Sequence, residues 1–198
     1  MSYDKIISKM VYGERISYGI IYGNENILFI KRGSGGRVTT RDDKYVAIAH
    51  RVHERTGATV ICSSNPESLF NSEQIPTDRG MICDIAGEIG LSEYRLYFFG
   101  TSDGAYHNML MAKELSQTAR LVCVNPSSID LDNLKEKITS IEAIQMIFVY
   151  GDKDKDHSFI PHLQAMGLDS LKIMTVAGAD HKFRGMDEEY IRLSDFAI

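Results

Sequence analysis

No apolar run in the chain approaches the roughly eighteen consecutive residues that a membrane span requires. The opening residues, Met1-Ser2-Tyr3-Asp4-Lys5, lack the apolar core of a signal peptide. The expected location is therefore cytoplasmic, with no membrane partner. No Lys/Arg block stands out and the formal net charge is −5, so nothing provides a general attraction to phosphates. Nucleic acid is not an expected partner. Cysteine is scarce: Cys62, Cys83 and Cys123 are odd in number, widely spaced and set in apolar surroundings. They are expected to be buried, reduced thiols rather than a disulfide framework or a zinc site with Cys-x-x-Cys ligands. Internal repeats, low-complexity tracts and linkers are also missing. What is present is 198 residues, 43% hydrophobic and 25% charged, the balance of a soluble protein able to bury a core. One domain covering 1–198 is expected.

Taken in order, Lys5 to Val11 and Ile16 to Tyr22 read as a hairpin at a sheet edge, and Ile27 to Ile30 as a strand buried on both faces. Arg32-Gly33-Ser34-Gly35-Gly36 follows as a glycine loop. Apolar positions at Val46, Ile48, Ala49 and Val52 have helical spacing, predicting a helix from Asp42 to Thr56 with Gly57 at its end. Ala58 to Cys62 is the next strand, broken by Ser63-Ser64-Asn65-Pro66, and a helix is predicted from about Thr77 to Ile89. After the strand at Leu96 to Phe99 and its helix to about Ser116 come a strand at Ala119 to Val124 and a helix at Ile129 to Ile141, with Ser128 or Asp130 near its cap. A strand at Ala143 to Tyr150, a helix at Ser158 to Met166, a strand at Leu171 to Val176 and a helix at Asp187 to Asp195 complete the chain. Strands alternating with helices imply parallel pairing, with helices on both faces of the sheet.

The chemistry is concentrated at Tyr94 to Met111. Apolar Leu96 to Phe99 runs into Gly100-Thr101-Ser102-Asp103-Gly104 and then into helix-forming residues. A serine on a sharp turn between strand and helix needs neighbours without a β-carbon, so that the two elements can approach. Free N–H groups at the helix start would face any negative charge developing at Ser102. In sheets of this kind ligands bind beyond the carboxyl ends of the strands. Those ends carry the glycine loop, Ser102, the acidic loop 151–156 and His181.

A serine nucleophile needs a base, and the base needs an acid to orient it. The chain offers Ser102, then a carboxylate after the seventh strand, then a histidine after the eighth. With Val149-Tyr150-Gly151-Asp152-Lys153-Asp154 and Val176-Ala177-Gly178-Ala179-Asp180-His181-Lys182-Phe183, this order resembles the α/β-hydrolase family over about residues 16 to 196. The resemblance implies Ser102 as nucleophile, His181 as general base and acid, and Asp154 as orienting acid, with Asp152 and Asp156 as alternatives because the acid loop is longer than the family pattern. It also implies an oxyanion hole from the backbone N–H of Asp103 and one from Gly33 or Ser34. Asp103 places a carboxylate close to that hole, an arrangement tolerable if its side chain turns away.

Other signals carry less. His50 and His53 are three apart on a helix but have no third ligand and read as a solvated face, so no metal is expected. His107 reads as a packing residue, and His157 as a rival base more suited to the surface. Gly33-x-Gly35-Gly36 fails both nucleotide-loop patterns, since residue 38 is Val and no Gly-Lys-Ser/Thr follows. Arg32 reads as solvated or paired with a carboxylate, or as an attractor of anionic substrate groups. The methionines at 109 and 111 and Tyr97 to Phe99 read as core.

The expected fold is thus a mostly parallel, twisted α/β-hydrolase sheet with helices on both faces. No sizeable cap domain is expected, because only Asn125 to Glu142 separates two strands where a lid would be inserted. The expected function is serine hydrolysis of an ester, thioester or other acyl bond on a small or carrier-linked substrate, without cofactor. The alternatives are an acyltransferase using the same triad and a non-catalytic binding protein of the same fold.

Overall fold

In the computed structural model, which describes residues 1–38, 43–127 and 130–198, eight strands form one sheet. They are β1 (Lys5–Val11), β2 (Glu14–Ile21), β3 (Asn24–Lys31), β4 (Ala58–Ser63), β5 (Arg95–Thr101), β6 (Thr118–Val124), β7 (Gln145–Gly151) and β8 (Leu171–Val176). Their spatial order is β1-β2-β4-β3-β5-β6-β7-β8. The β1–β2 hairpin lies at the edge and β2 pairs antiparallel with β4, whereas β4, β3, β5, β6, β7 and β8 run parallel. Their carboxyl ends therefore share one edge of the sheet, where the loaded loops emerge.

Each face of the sheet has its own hydrophobic layer. Ile27 to Ile30 is fully buried because alternate residues feed both layers: Ile27 and Phe29 join one, Leu28 and Ile30 the other. On one side α1 (Lys44–Thr56) and α6 (Asp187–Arg192) contribute Tyr45, Val46, Val52 and Tyr190. On the other, α2 (Asn71–Glu88), α3 (Asp103–Glu114), α4 (Leu131–Ser140) and α5 (Ile160–Gln164) contribute Ile82, Met109, Leu134 and Leu163. Tyr97, Phe98, Phe99, Met109 and Met111 are all core residues.

Helix starts differ from the sequence reading where capping decides them. The Asp43 side chain accepts from Tyr45 N–H to cap α1, and Gly57 at φ 69° ends it; the predicted first residue, Asp42, lies outside the described residues. Asp130 caps α4 by accepting from Asn133 N–H, while Ser128 and Ile129 lie outside the described residues. The second helix begins at Asn71 rather than Thr77. The Glu73 carboxylate accepts from Phe70 N–H at 2.7 Å and closes that end, and Pro76 is carried near the helix start at the cost of one backbone bond. The helix expected over 158–166 is split into a 3₁₀ turn (Lys155–Phe159) and α5, and the last helix ends in a 3₁₀ turn (Leu193–Phe196).

Among the described residues between β6 and β7, α4 is the sole helix and no cap domain covers the sheet edge. Cys62 and Cys123 are buried, but Cys83 is exposed. That corrects the expectation of three buried thiols: Ile82, Ile85 and Ala86 take the inner phase of α2, and Cys83 turns outward with Asp84.

Candidate active site

Ser102 sits between β5 and α3 with φ 56° and ψ −127°. A non-glycine residue held there costs on the order of 1–3 kcal/mol, which the surroundings must impose. They do so by close approach. A β-carbon on Gly100 would stand 2.6 Å from Gly104 O, and one on Gly104 would stand 2.3 Å from Arg32 O, so both glycines are sterically required. Ser102 N–H donates to Val124 O at 2.9 Å, tying the turn to β6.

His181, in the loop after β8, places Nε2 3.0 Å from Ser102 Oγ. Its Nδ1 lies 2.5 Å from Asp154 Oδ2. The Asp154 side chain is fully buried, and its other oxygen accepts from Asp156 N–H at 2.9 Å. The structure therefore brings Ser102, His181 and Asp154 into one line. Asp152 and Asp156 stand outside it. Asp152 is exposed and accepts from Gly178 N–H; burial raises the Asp156 carboxyl above its ordinary range, and its backbone serves Asp154.

Asn125 holds the two loops together. Fully buried and at φ 44°, it donates from Nδ2 to His181 O at 3.0 Å and accepts from Gly151 N–H at 2.9 Å. Gly151 is needed because a β-carbon there would meet Ala179 O at 2.3 Å. In the sequence Asn125 reads only as a strand terminator before Pro126. The one local hint was the Asn identity, since Asn tolerates positive φ.

The glycine loop lies against the same serine. A β-carbon on Gly33 would be 3.3 Å from Ser102 Cβ and 3.9 Å from its Oγ. Asp103, the first residue of α3, has no intrahelical partner for its N–H. Its carboxylate is turned aside, accepting from Asn71 Nδ2 at 3.1 Å and Asn65 Nδ2 at 3.0 Å. Arg32 is paired rather than free: it makes an ion pair with Asp43 at 2.7 Å and stacks 4.2 Å above the Tyr45 ring. Ser127 Oγ lies 2.6 Å from Ser102 Oγ. Sequence reasoning missed this second hydroxyl, which only the turn after β6 brings to the site.

Beneath the site, on the α2–α3 side, is a sealed charged cluster. Lys31, Gln74, Asp78 and His107 have no exposed surface. Lys31 Nζ donates to Ser63 Oγ, Ser64 O, Gln74 Oε1 and Asp78 Oδ2 at 2.8–3.1 Å. Burial lowers Lys31 from its ordinary value while Asp78 pulls it up; with four oxygens placed to accept, the ammonium form is the one this site satisfies. Burial likewise pushes Asp78 up, but Lys31 and His107 outweigh it and hold the carboxyl well below the usual range. His107 Nε2 lies 2.8 Å from Asp78 Oδ2 but off the hydrogen-bonding line, and Nδ1 contacts Asn71 Oδ1 at 2.9 Å. Burial and the Lys31 charge lower its pKa, favouring neutral imidazole.

The remaining histidines stand apart from Ser102. His50 and His53 contact backbone carbonyls of Ser2 and Ala58, His157 is half-buried in the turn after Asp154, and His162 is exposed. Among the described residues no group of three or more His, Cys, Asp or Glu side chains is placed to hold a metal ion. A cleft of about 710 Å³ lies on the far side of the glycine loop, walled by Arg15, Arg37 and Glu67, and Ser102 does not line it. No helix among the described residues is long and apolar enough to cross a membrane.

No family model matches the chain, and no curated protein matches it by sequence. Solved structures match it over nearly its full length. Est1E from Butyrivibrio proteoclasticus is 14% identical, with 96% of each chain covered and a TM-score of 0.67. An α/β serine hydrolase homologue from Coxiella burnetii is 16% identical, covering 98% of this chain and 97% of its own, at 0.66. A lidless member of the α/β serine hydrolases from Xanthomonas campestris is 13% identical, covering 98% and 93%, at 0.67. The chain has the α/β-hydrolase fold, and among the described residues no lid is inserted.

Proposed function

We propose that the protein is a serine hydrolase that cleaves an ester, thioester or other acyl bond through an acyl-enzyme on Ser102. The observation that carries this reading is His181 Nε2 at 3.0 Å from Ser102 Oγ, with Asp154 on the far nitrogen. In the proposed reaction Ser102 Oγ attacks the acyl carbon as His181 Nε2 takes its proton, and Asp154 holds the ring and stabilises the imidazolium. The N–H of Asp103 and that of Gly33 or Ser34 receive the developing oxyanion. Collapse breaks the bond to the leaving group, which takes the proton from His181. Water repeats the sequence on the acyl-enzyme and restores the serine.

Among the described residues no lid covers the site, which suits small acyl groups or acyl groups carried on a larger molecule. Among the structural neighbours Est1E has been solved with ferulic acid bound and another is a ferulic acid esterase, which supports carboxylic esters, feruloyl esters included, as the first substrates to screen. Cysteines without disulfide partners fit the reducing cytoplasm. The test is hydrolysis of a short p-nitrophenyl ester series by wild type and Ser102→Ala. Turnover by wild type, lost in the variant, supports the proposal; equal rates overturn it.

A further inference from the structure

Asn65, two residues past the end of β4, is only 1% exposed and spends every polar atom on the surroundings of Ser102. Its Nδ2 donates one hydrogen bond to Arg32 O and one to the Asp103 carboxylate, both at 3.0 Å. Oδ1 accepts from Gln74 Nε2 at 2.9 Å. Its backbone N–H donates to Gly36 O and its carbonyl accepts from Gly35 N–H, both at 2.8 Å. One amide nitrogen thus grips the glycine loop and the start of α3 at once.

The two groups it grips are informative. Arg32 C=O and Gly33 N–H belong to a single peptide unit, and all peptides described are trans. In a trans peptide C=O and N–H point in opposite directions, so fixing Arg32 O aims Gly33 N–H away from Asn65. Gly33 itself lies against Ser102. The second contact fixes the side chain of Asp103, whose own N–H is the other candidate donor.

We propose that Asn65 is a positioning residue that sets the two halves of the oxyanion hole against each other. This deepens the serine-hydrolase reading and rests on it. Asparagine is required because one nitrogen must supply two divergent N–H donors, one to a carbonyl and one to a carboxylate. Aspartate has the shape but no donor at neutral pH. Gln74, held in turn by Lys31, keeps the Asn65 amide from flipping, since its Nε2 also donates to Leu69 O and its Oε1 accepts from the lysine.

The test uses the full-length protein and a fluorophosphonate, whose addition at serine develops charge on the phosphoryl oxygen. Asn65→Ala is expected to slow phosphonylation by about 10- to 100-fold, somewhat less than deleting an oxyanion donor outright, and to lower kcat on an ester with KM changed less than about threefold. Asn65→Asp puts a second carboxylate beside Asp103 and should slow it further. Combining Asn65→Asp with Asp103→Asn restores an amide–carboxylate pair and should recover part of the loss, which keeps the proposal testable if a single variant folds poorly. Independently of reactivity, the amide resonances and hydrogen exchange of Gly33 and Asp103 should change in Asn65→Ala. A folded Asn65→Ala with wild-type phosphonylation, or with both amides unperturbed, overturns the proposal. Wild type that fails to react while the two amides do shift overturns the hydrolase reading and leaves the clamp standing as a structural device.

Discussion

Among the described residues are two histidine–carboxylate pairs, His181–Asp154 and His107–Asp78, with N–O separations of 2.5 and 2.8 Å. They differ in what lies on the other side of the ring. His181 is about a third exposed and turns its second nitrogen to a serine hydroxyl. His107 is sealed, with an asparagine on one nitrogen and a lysine sharing its carboxylate. A His–Asp contact is therefore not a site in itself. On the proposed reading it becomes one where a serine hydroxyl and solvent access meet it, and elsewhere it serves as a brace. The brace here underlies the site, because Asn71 links His107 to the Asp103 carboxylate beside Ser102.

Breaking the pairs separately should expose that contrast. His181→Ala and Asp154→Asn should each lower kcat/KM by about 10³- to 10⁴-fold, with thermal melting showing only a small change in stability. Asp78→Asn should do the reverse in kind. It leaves Lys31 buried without its counter-charge and should cost about 3–5 kcal/mol in urea unfolding, with any folded fraction still reacting at Ser102.

Acid should also weaken the sealed pair. The lowered pKa of His107 means the unfolded chain binds the extra proton first, so its contribution is complete above the ordinary histidine value of about 6.5 and shrinks as pH falls below it. Asp78, held low, adds a loss only below the ordinary carboxylate range. The stability gap between wild type and His107→Gln should therefore narrow between pH 7 and 5. Smallest of all, Ser127→Ala removes a hydroxyl that touches Ser102 but not His181, and should change the steady-state ester hydrolysis rate by less than about tenfold.

The same contrast explains how much was legible in the sequence. Strand and helix order follows from local periodicity, and the Gly100-Thr101-Ser102-Asp103-Gly104 turn announces itself because its glycines answer a local steric demand. The order Ser102, acid loop, His181 follows from strand-end positions. Pairings across long stretches of chain carry no such mark. In the sequence Lys31 falls at the end of a strand and Asp78 inside a predicted helix, neither singled out, and His107 reads as packing; only the stacking of α2 and α3 on β3 makes them one cluster. Asn65 and Asn125 read as chain breakers for the same reason. The helix expected from about Thr77 starts earlier, at Asn71, and passes through Pro76.

The most direct test of the account is to locate a fluorophosphonate adduct by peptide mapping, since Ser102 and Ser127 place their hydroxyls 2.6 Å apart. A single adduct on Ser102, lost in His181→Ala, is the expected result. An adduct on Ser127, or none on folded wild type, would contradict it.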